Sequence, residues 1–78
     1  MKVIDFVLYI GKFDDETDFQ PAKIYPILEP IENDPIDYLR VLDESGEDYL
    51  YPKEYFQIVQ LTNESRVALT KHFEISLS

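Results

Sequence analysis

The alternation of apolar and polar positions, and the points where it breaks, divides this chain into short strands. Val3 to Ile10 is rich in β-branched and aromatic residues and is followed by Gly11, which predicts a first strand whose inward set departs from strict alternation. Lys23 to Leu28 predicts a second, interrupted by Pro26, whose missing N–H predicts an edge position or a bulge. Glu29 to Pro35, with two prolines plus Asn33 and Asp34, reads as a loop. Asp37 to Leu42 follows as a third strand, Asp43 to Glu47 as a turn around Gly46, and Asp48 to Tyr51 as a fourth strand. Phe56 to Leu61 is the fifth. Short strands with short connections predict a mainly β fold, a small five-stranded barrel.

Two segments add to that frame. Pro52 sets φ near −65° and favours one tight 3-10 turn over Pro52 to Tyr55, which carries the chain round a corner into the fifth strand. Beyond it, Val67, Leu69, Phe73, Ile75 and Leu77 alternate as in a strand, but Asn63 suits a cap, Glu64 a first turn, and Ala68, Leu69 and Lys71 favour helix. The expectation is a short helix from about Glu64 to His72, packed against an open end of the barrel. Residues 1–62 then form the barrel and 63–78 its helical tail, within one domain.

Length bounds the stability of such a fold. A chain of 78 residues buries only roughly 60% of its unfolded surface. It has no cysteine and one histidine, so neither disulfides nor a structural zinc staple it, and the aromatic core must hold it. The absence of cysteine fits a reducing cytosol. The apolar run Phe6 to Ile10 is too short for a signal-peptide core or a membrane span. The expectation is a soluble, cytoplasmic protein, with a monomer favoured.

Charge narrows the partners. Sixteen acidic residues against seven basic ones give a formal net charge of -9. Nucleic acid is disfavoured because affinity for phosphate backbones rests on Lys and Arg, and an anionic membrane surface is disfavoured for the same reason. The charge keeps a small domain soluble, and it also suits a partner with a basic segment.

The stretch Ser45 to Phe56, reading Ser-Gly-Glu-Asp-Tyr-Leu-Tyr-Pro-Lys-Glu-Tyr-Phe, resembles the closing segment of SH3 domains, in which a Gly-containing loop leads through a short strand to Pro, two polar residues and Tyr. Val7-Leu8-Tyr9 is similar to the opening strand, Asp14 to Asp18 to the acidic loop, Phe19 to Leu28 to the Phe-turn-strand segment, and Tyr38-Leu39-Arg40-Val41 to the start of the third strand. The resemblance covers about Val3 to Leu61 and implies an SH3-like barrel. Tyr38 to Val59 also resembles a group of very small bacterial and phage SH3-like proteins, a likeness that implies a fold but no established activity. In peptide-binding SH3 domains a tryptophan walls the groove. Tyr38 stands there in this chain, which has no tryptophan, and Ala22 replaces a customary glycine. The resemblance therefore implies a groove from Tyr9, Tyr38, Pro52 and Tyr55, with Asp14, Asp15, Glu16 and Asp18 receiving a basic residue. The bland alternative is that these tyrosines are half-buried barrel aromatics.

Enzymatic readings find no support in the motifs. No carboxylate pair stands out, His72 lacks any nucleophile or base set, and two glycines make no phosphate-cradling loop. Asp14, Glu16 and Asp18 share the spacing that opens an EF-hand loop, but Phe19 stands where glycine is required and Tyr25 where the last carboxylate belongs, so no metal or other cofactor is expected. The sequence thus points to a non-catalytic protein-interaction module. A second class is an accessory subunit or inhibitor, including an acidic nucleic-acid mimic, docking through its acidic face or an edge strand.

Overall fold

The computed structural model describes residues 2–11 and 19–77, with helix side chains as far as residue 73. The chain runs β1 (Val3–Tyr9), β2 (Lys23–Leu28), β3 (Tyr38–Leu42), β4 (Asp48–Pro52), a 3-10 turn (Lys53–Tyr55), β5 (Phe56–Ile58) and α1 (Asn63–Leu77). The five strands form one antiparallel sheet in the order β4-β3-β2-β1-β5. Among the described residues no ladder joins β4 to β5, so the sheet is open at both edges.

Pro26 does not lie at an edge. It sits buried in β2, between β1 and β3, opposite Phe6. The irregularity that its missing N–H demands lies beside it: β2 and β3 share a single register pair, Ile27 with Val41, and β1 shifts register between Val3 and Asp5. That shift also explains why the inward set of β1 breaks alternation.

Strand pleating sends successive side chains to opposite faces and so divides the core in two. Val7, Tyr9, Tyr25, Ile27, Val41 and Phe56 form one cluster with Phe19 at its centre. The Phe19 ring lies 4.6 Å from Tyr51, 4.7 Å from Tyr25, 5.0 Å from Tyr9 and 5.3 Å from Phe56. Tyr51 belongs to one edge strand and Phe56 to the other, so the sheet curls until both reach one ring. Val3, Phe6 and Leu28 form the second cluster, on the other face.

The C-terminal helix covers that second cluster rather than an end of the sheet. Leu69 and Phe73, four residues apart on one helical face, pack on it, and the Phe73 ring stands 5.9 Å from Phe6. The helix is longer than the sequence predicts, and its cap is Thr62 instead of Asn63. Thr62 Oγ1 accepts the Ser65 N–H at 3.1 Å, and the Thr62 carbonyl accepts the Arg66 N–H at 2.9 Å. Arg66 then donates to Asp5 on β1 at 2.7 Å, tying the first turns to the sheet. Among the described residues no helix is long and apolar enough to cross a membrane.

The β3–β4 hairpin closes on a buried carboxylate. Asp43, 6% exposed, accepts the Ser45 N–H at 2.9 Å, the Tyr51 hydroxyl at 2.8 Å and the Ser45 hydroxyl, so its burial leaves no acceptor unpaired. Gly46 supplies the positive φ, 85°, that the turn requires.

Candidate functional site

Two of the aromatic-groove residues predicted from the sequence meet on the surface. Tyr38 opens β3 and Pro52 ends β4, and the antiparallel register sets them directly opposite one another. Lys53 N–H, the first of the 3-10 turn, donates to the Asp37 carbonyl at 3.1 Å, which fastens the turn beside the start of β3. Asp37, Tyr38, Pro52, Lys53 and Glu54 together line a groove of about 420 Å³, with Tyr38 42% exposed. A tyrosine ring and a proline side by side offer an apolar seat, and Asp37 and Glu54 place carboxylates at its margin. Among the described residues Lys53 is the only cation in that lining.

The other predicted residues are placed differently. Tyr9 lies in the core at 3% exposure, stacked on Phe19, because the pleat of β1 turns Val7 and Tyr9 inward together, so it supplies no ring face to a groove. Tyr55 is half-buried against the same cluster, its ring 6.4 Å from Phe56, and does not line the Tyr38–Pro52 groove. Asp14, Asp15, Glu16 and Asp18 lie outside the described residues. Asp37 and Glu54 were not singled out from the sequence. The available signal was their adjacency to Tyr38 and Lys53, which acquires meaning only once β3 and β4 are paired.

Beside this groove, two residues along β3 from Tyr38, stands an ion cluster that sequence reading also passed over. The Arg40 guanidinium donates to both oxygens of Asp34, at 2.7 and 3.0 Å, and to Asp48 at 2.8 Å. Asp34 also accepts the Ile31 N–H at 2.9 Å. The Arg40 hydrogen bonds, then the Ile31 N–H, hold the Asp34 carboxyl below the usual carboxylate range, and the two carboxylates push the guanidinium upward. Asp34 is in the β2–β3 loop and Asp48 in β4, so one side chain on β3 pins the loop to the sheet. The fork geometry of arginine makes this possible, and lysine has no equivalent.

At the opposite end of the sheet the Tyr25 hydroxyl receives the Gln20 N–H at 2.6 Å and donates to Glu44 at 2.9 Å, while Lys23 pairs with the same carboxylate. Burial, joined by the nearby charges of Glu44 and Asp43, pushes the Tyr25 hydroxyl up to about 12 against the opposing Gln20 N–H. A phenol so held stays neutral and serves as a structural post. His72 is exposed on α1 with its ring edge-on to Phe73 at 5.0 Å. Among the described residues no group of three His, Cys, Asp or Glu side chains is arranged to hold a metal ion.

Comparison with protein-family models, with curated proteins and with solved structures found no match to this chain. Its functional reading therefore rests on the residues themselves.

Proposed function

We propose that this protein is a non-catalytic interaction module whose Tyr38–Pro52 groove takes a peptide segment containing a basic residue, and that its curled sheet closes as a small SH3-like barrel. One observation carries the functional reading: an exposed tyrosine and a proline are set side by side by strand register, in a groove that Asp37 and Glu54 also line. The apolar pair would give contact area, and the acidic margin would select and steer a basic partner. The motif from Ser45 to Phe56 and the reach of Phe19 to both edge strands support the barrel.

The test is a titration with two synthetic ten-residue probes, one of proline with two arginines and one with glutamate in place of both arginines. The arginine probe should bind the protein, and more weakly as salt rises. Tyr38→Ala should weaken it at least tenfold with the melting temperature little changed. Equal binding by both probes, or by the wild type and Tyr38→Ala, would sink the reading.

A further inference from the structure

One aspartate of this chain is followed by proline, and the fold places that pair, Asp34–Pro35, in the loop between β2 and β3. An aspartic acid before proline carries the means to break its own peptide bond. One side-chain oxygen bonds the aspartate's main-chain carbonyl carbon, the carboxyl proton passes to the proline nitrogen, and the C–N bond breaks. Water then opens the five-membered anhydride to leave a C-terminal aspartate and a new N-terminal proline. Proline leaves readily because its amide nitrogen is more basic than that of other residues. Nucleophile and carbonyl sit on one residue, so the reaction needs only a free side-chain rotation and a proton on the carboxyl.

The fold withholds both. The Arg40 guanidinium donates to Asp34 Oδ1 at 2.7 Å and to Oδ2 at 3.0 Å, and the Ile31 N–H donates to Oδ2 at 2.9 Å. Turning either oxygen onto the carbonyl carbon breaks this fork, whose two side chains are only 15% and 11% exposed. Main-chain bonds brace the peptide from either side: the Asp34 N–H donates to the Ile31 carbonyl at 3.0 Å, and the Tyr38 N–H to the Pro35 carbonyl at 3.2 Å. The hydrogen bonds from Arg40 and Ile31 also hold the Asp34 carboxyl below the usual carboxylate range, so the proton owed to the leaving nitrogen is absent until the medium is more acidic. From the neighbouring elements, Asp48 of β4 shares the guanidinium at 2.8 Å, and Lys53 of the 3-10 turn lines the same groove as Asp34. Pro35 is exposed, so water reaches the bond.

We propose that Asp34–Pro35 is a latent self-cleavage site held shut by Arg40, a positioning residue, and opened when acid or loss of the fork frees the Asp34 side chain. A cut there parts β1 and β2 from the strands that carry Tyr38 and Pro52.

The experiment holds the full chain and Arg40→Gln in acid, at a pH where circular dichroism shows both folded, and follows fragments 1–34 and 35–78 by mass spectrometry. Arg40→Gln should yield them at least tenfold faster than the wild type; if it does not fold, Arg40→Lys, which keeps the charge without the fork, takes its place. Wild type unfolded in urea at the same pH should also be cut at least tenfold faster than folded wild type, a comparison that needs no variant. Adding Asp34→Asn to the Arg40 variant should slow the cut at least tenfold, because the nucleophilic carboxyl is gone. Thr62→Ala, which weakens the fold at the helix cap, should be cut as slowly as the wild type. The proposal is overturned if folded and unfolded wild type are cut alike, or if the Arg40 variant is cut no faster than the wild type. It is equally overturned if Asp34→Asn leaves the rate unchanged, or if Thr62→Ala speeds the cut as much as the Arg40 variant does.

Discussion

Ala22 adopts φ 63°, a conformation that costs an L-residue because its Cβ crowds the following carbonyl, and it does so while its N–H donates to the Tyr9 carbonyl at 2.8 Å. The turn is one that glycine makes without strain. Ala22→Gly should therefore stabilise the protein, by about 0.5–1 kcal/mol once the greater freedom of glycine in the unfolded chain is deducted. Urea unfolding reads this directly, and a lower midpoint would contradict it. Gly11 is the converse case. It combines φ 65° with an approach so close that an added Cβ would come within 2.9 Å of Pro21, so Gly11→Ala should cost about 1–3 kcal/mol in the same assay. Phe19 marks the limit of what a tyrosine substitution at the surface can be compared with. Removing a ring that touches four others should cost about 3–5 kcal/mol and leave little folded protein, whereas Tyr38→Ala should alter binding and spare the fold.

At the scale of elements, α1 is stabilised by its cap, by Leu69 and Phe73 against the second cluster, and by Arg66 on Asp5. Thr62→Ala removes the acceptor for the Ser65 N–H and should cost about 1 kcal/mol, while Thr62→Ser should cost much less. Circular dichroism with urea unfolding distinguishes the two, and equal losses would show that the hydroxyl is not the cap. The 3-10 turn acts differently. Its value is positional, since the Lys53 N–H to Asp37 carbonyl bond fastens the turn beside the start of β3, where Asp37 and Glu54 line one groove with Tyr38 and Pro52. The β2–β3 loop, likewise, is held by Arg40 as well as by its own Ile31–Asp34 bonds, and Arg40→Lys should loosen it because a point charge cannot hold both oxygens of Asp34 together with Asp48. Faster amide exchange over the loop, with β1 unaffected, is the expected result.

For the whole molecule, the ion pairs define the pH range of stability. Asp34 and Glu44 are held low chiefly by hydrogen bonds from Arg40 and Lys23, and at Asp5 the Arg66 and Phe6 hydrogen bonds outweigh the raising effect of burial. A carboxylate whose folded pKa is depressed contributes stability above its unfolded value, near 4, and loses it as pH falls through the folded value. Tyr25 acts at the other end. Its folded value near 12 exceeds the ordinary 10, so its contribution is full below pH 10 and is lost as pH rises toward 12. Urea midpoints across pH should form a plateau that declines below about 4 and above about 10. A midpoint unchanged at pH 3 would contradict these assignments.

The sequence by itself determined the elements: five strands, the hairpin around Gly46, the 3-10 turn after Pro52 and a terminal helix were all legible, because turn chemistry, strand composition and helix preference act over a few residues. Of the candidate site, Tyr38 and Pro52 were legible through a local motif. Only the tertiary structure decided the rest. Whether a tyrosine faces water or Phe19 depends on the pleat and curl of its strand, which set Tyr9 inward and left Tyr38 open. Pro26, expected at an edge or a bulge, took an interior position beside irregular pairing because strand order is fixed by long-range contacts, and the helix settled on Phe6 because that face carried the remaining uncovered cluster. The Arg40 fork unites residues from two strands and a loop, and such a group has no signature in the chain until the sheet brings it within reach.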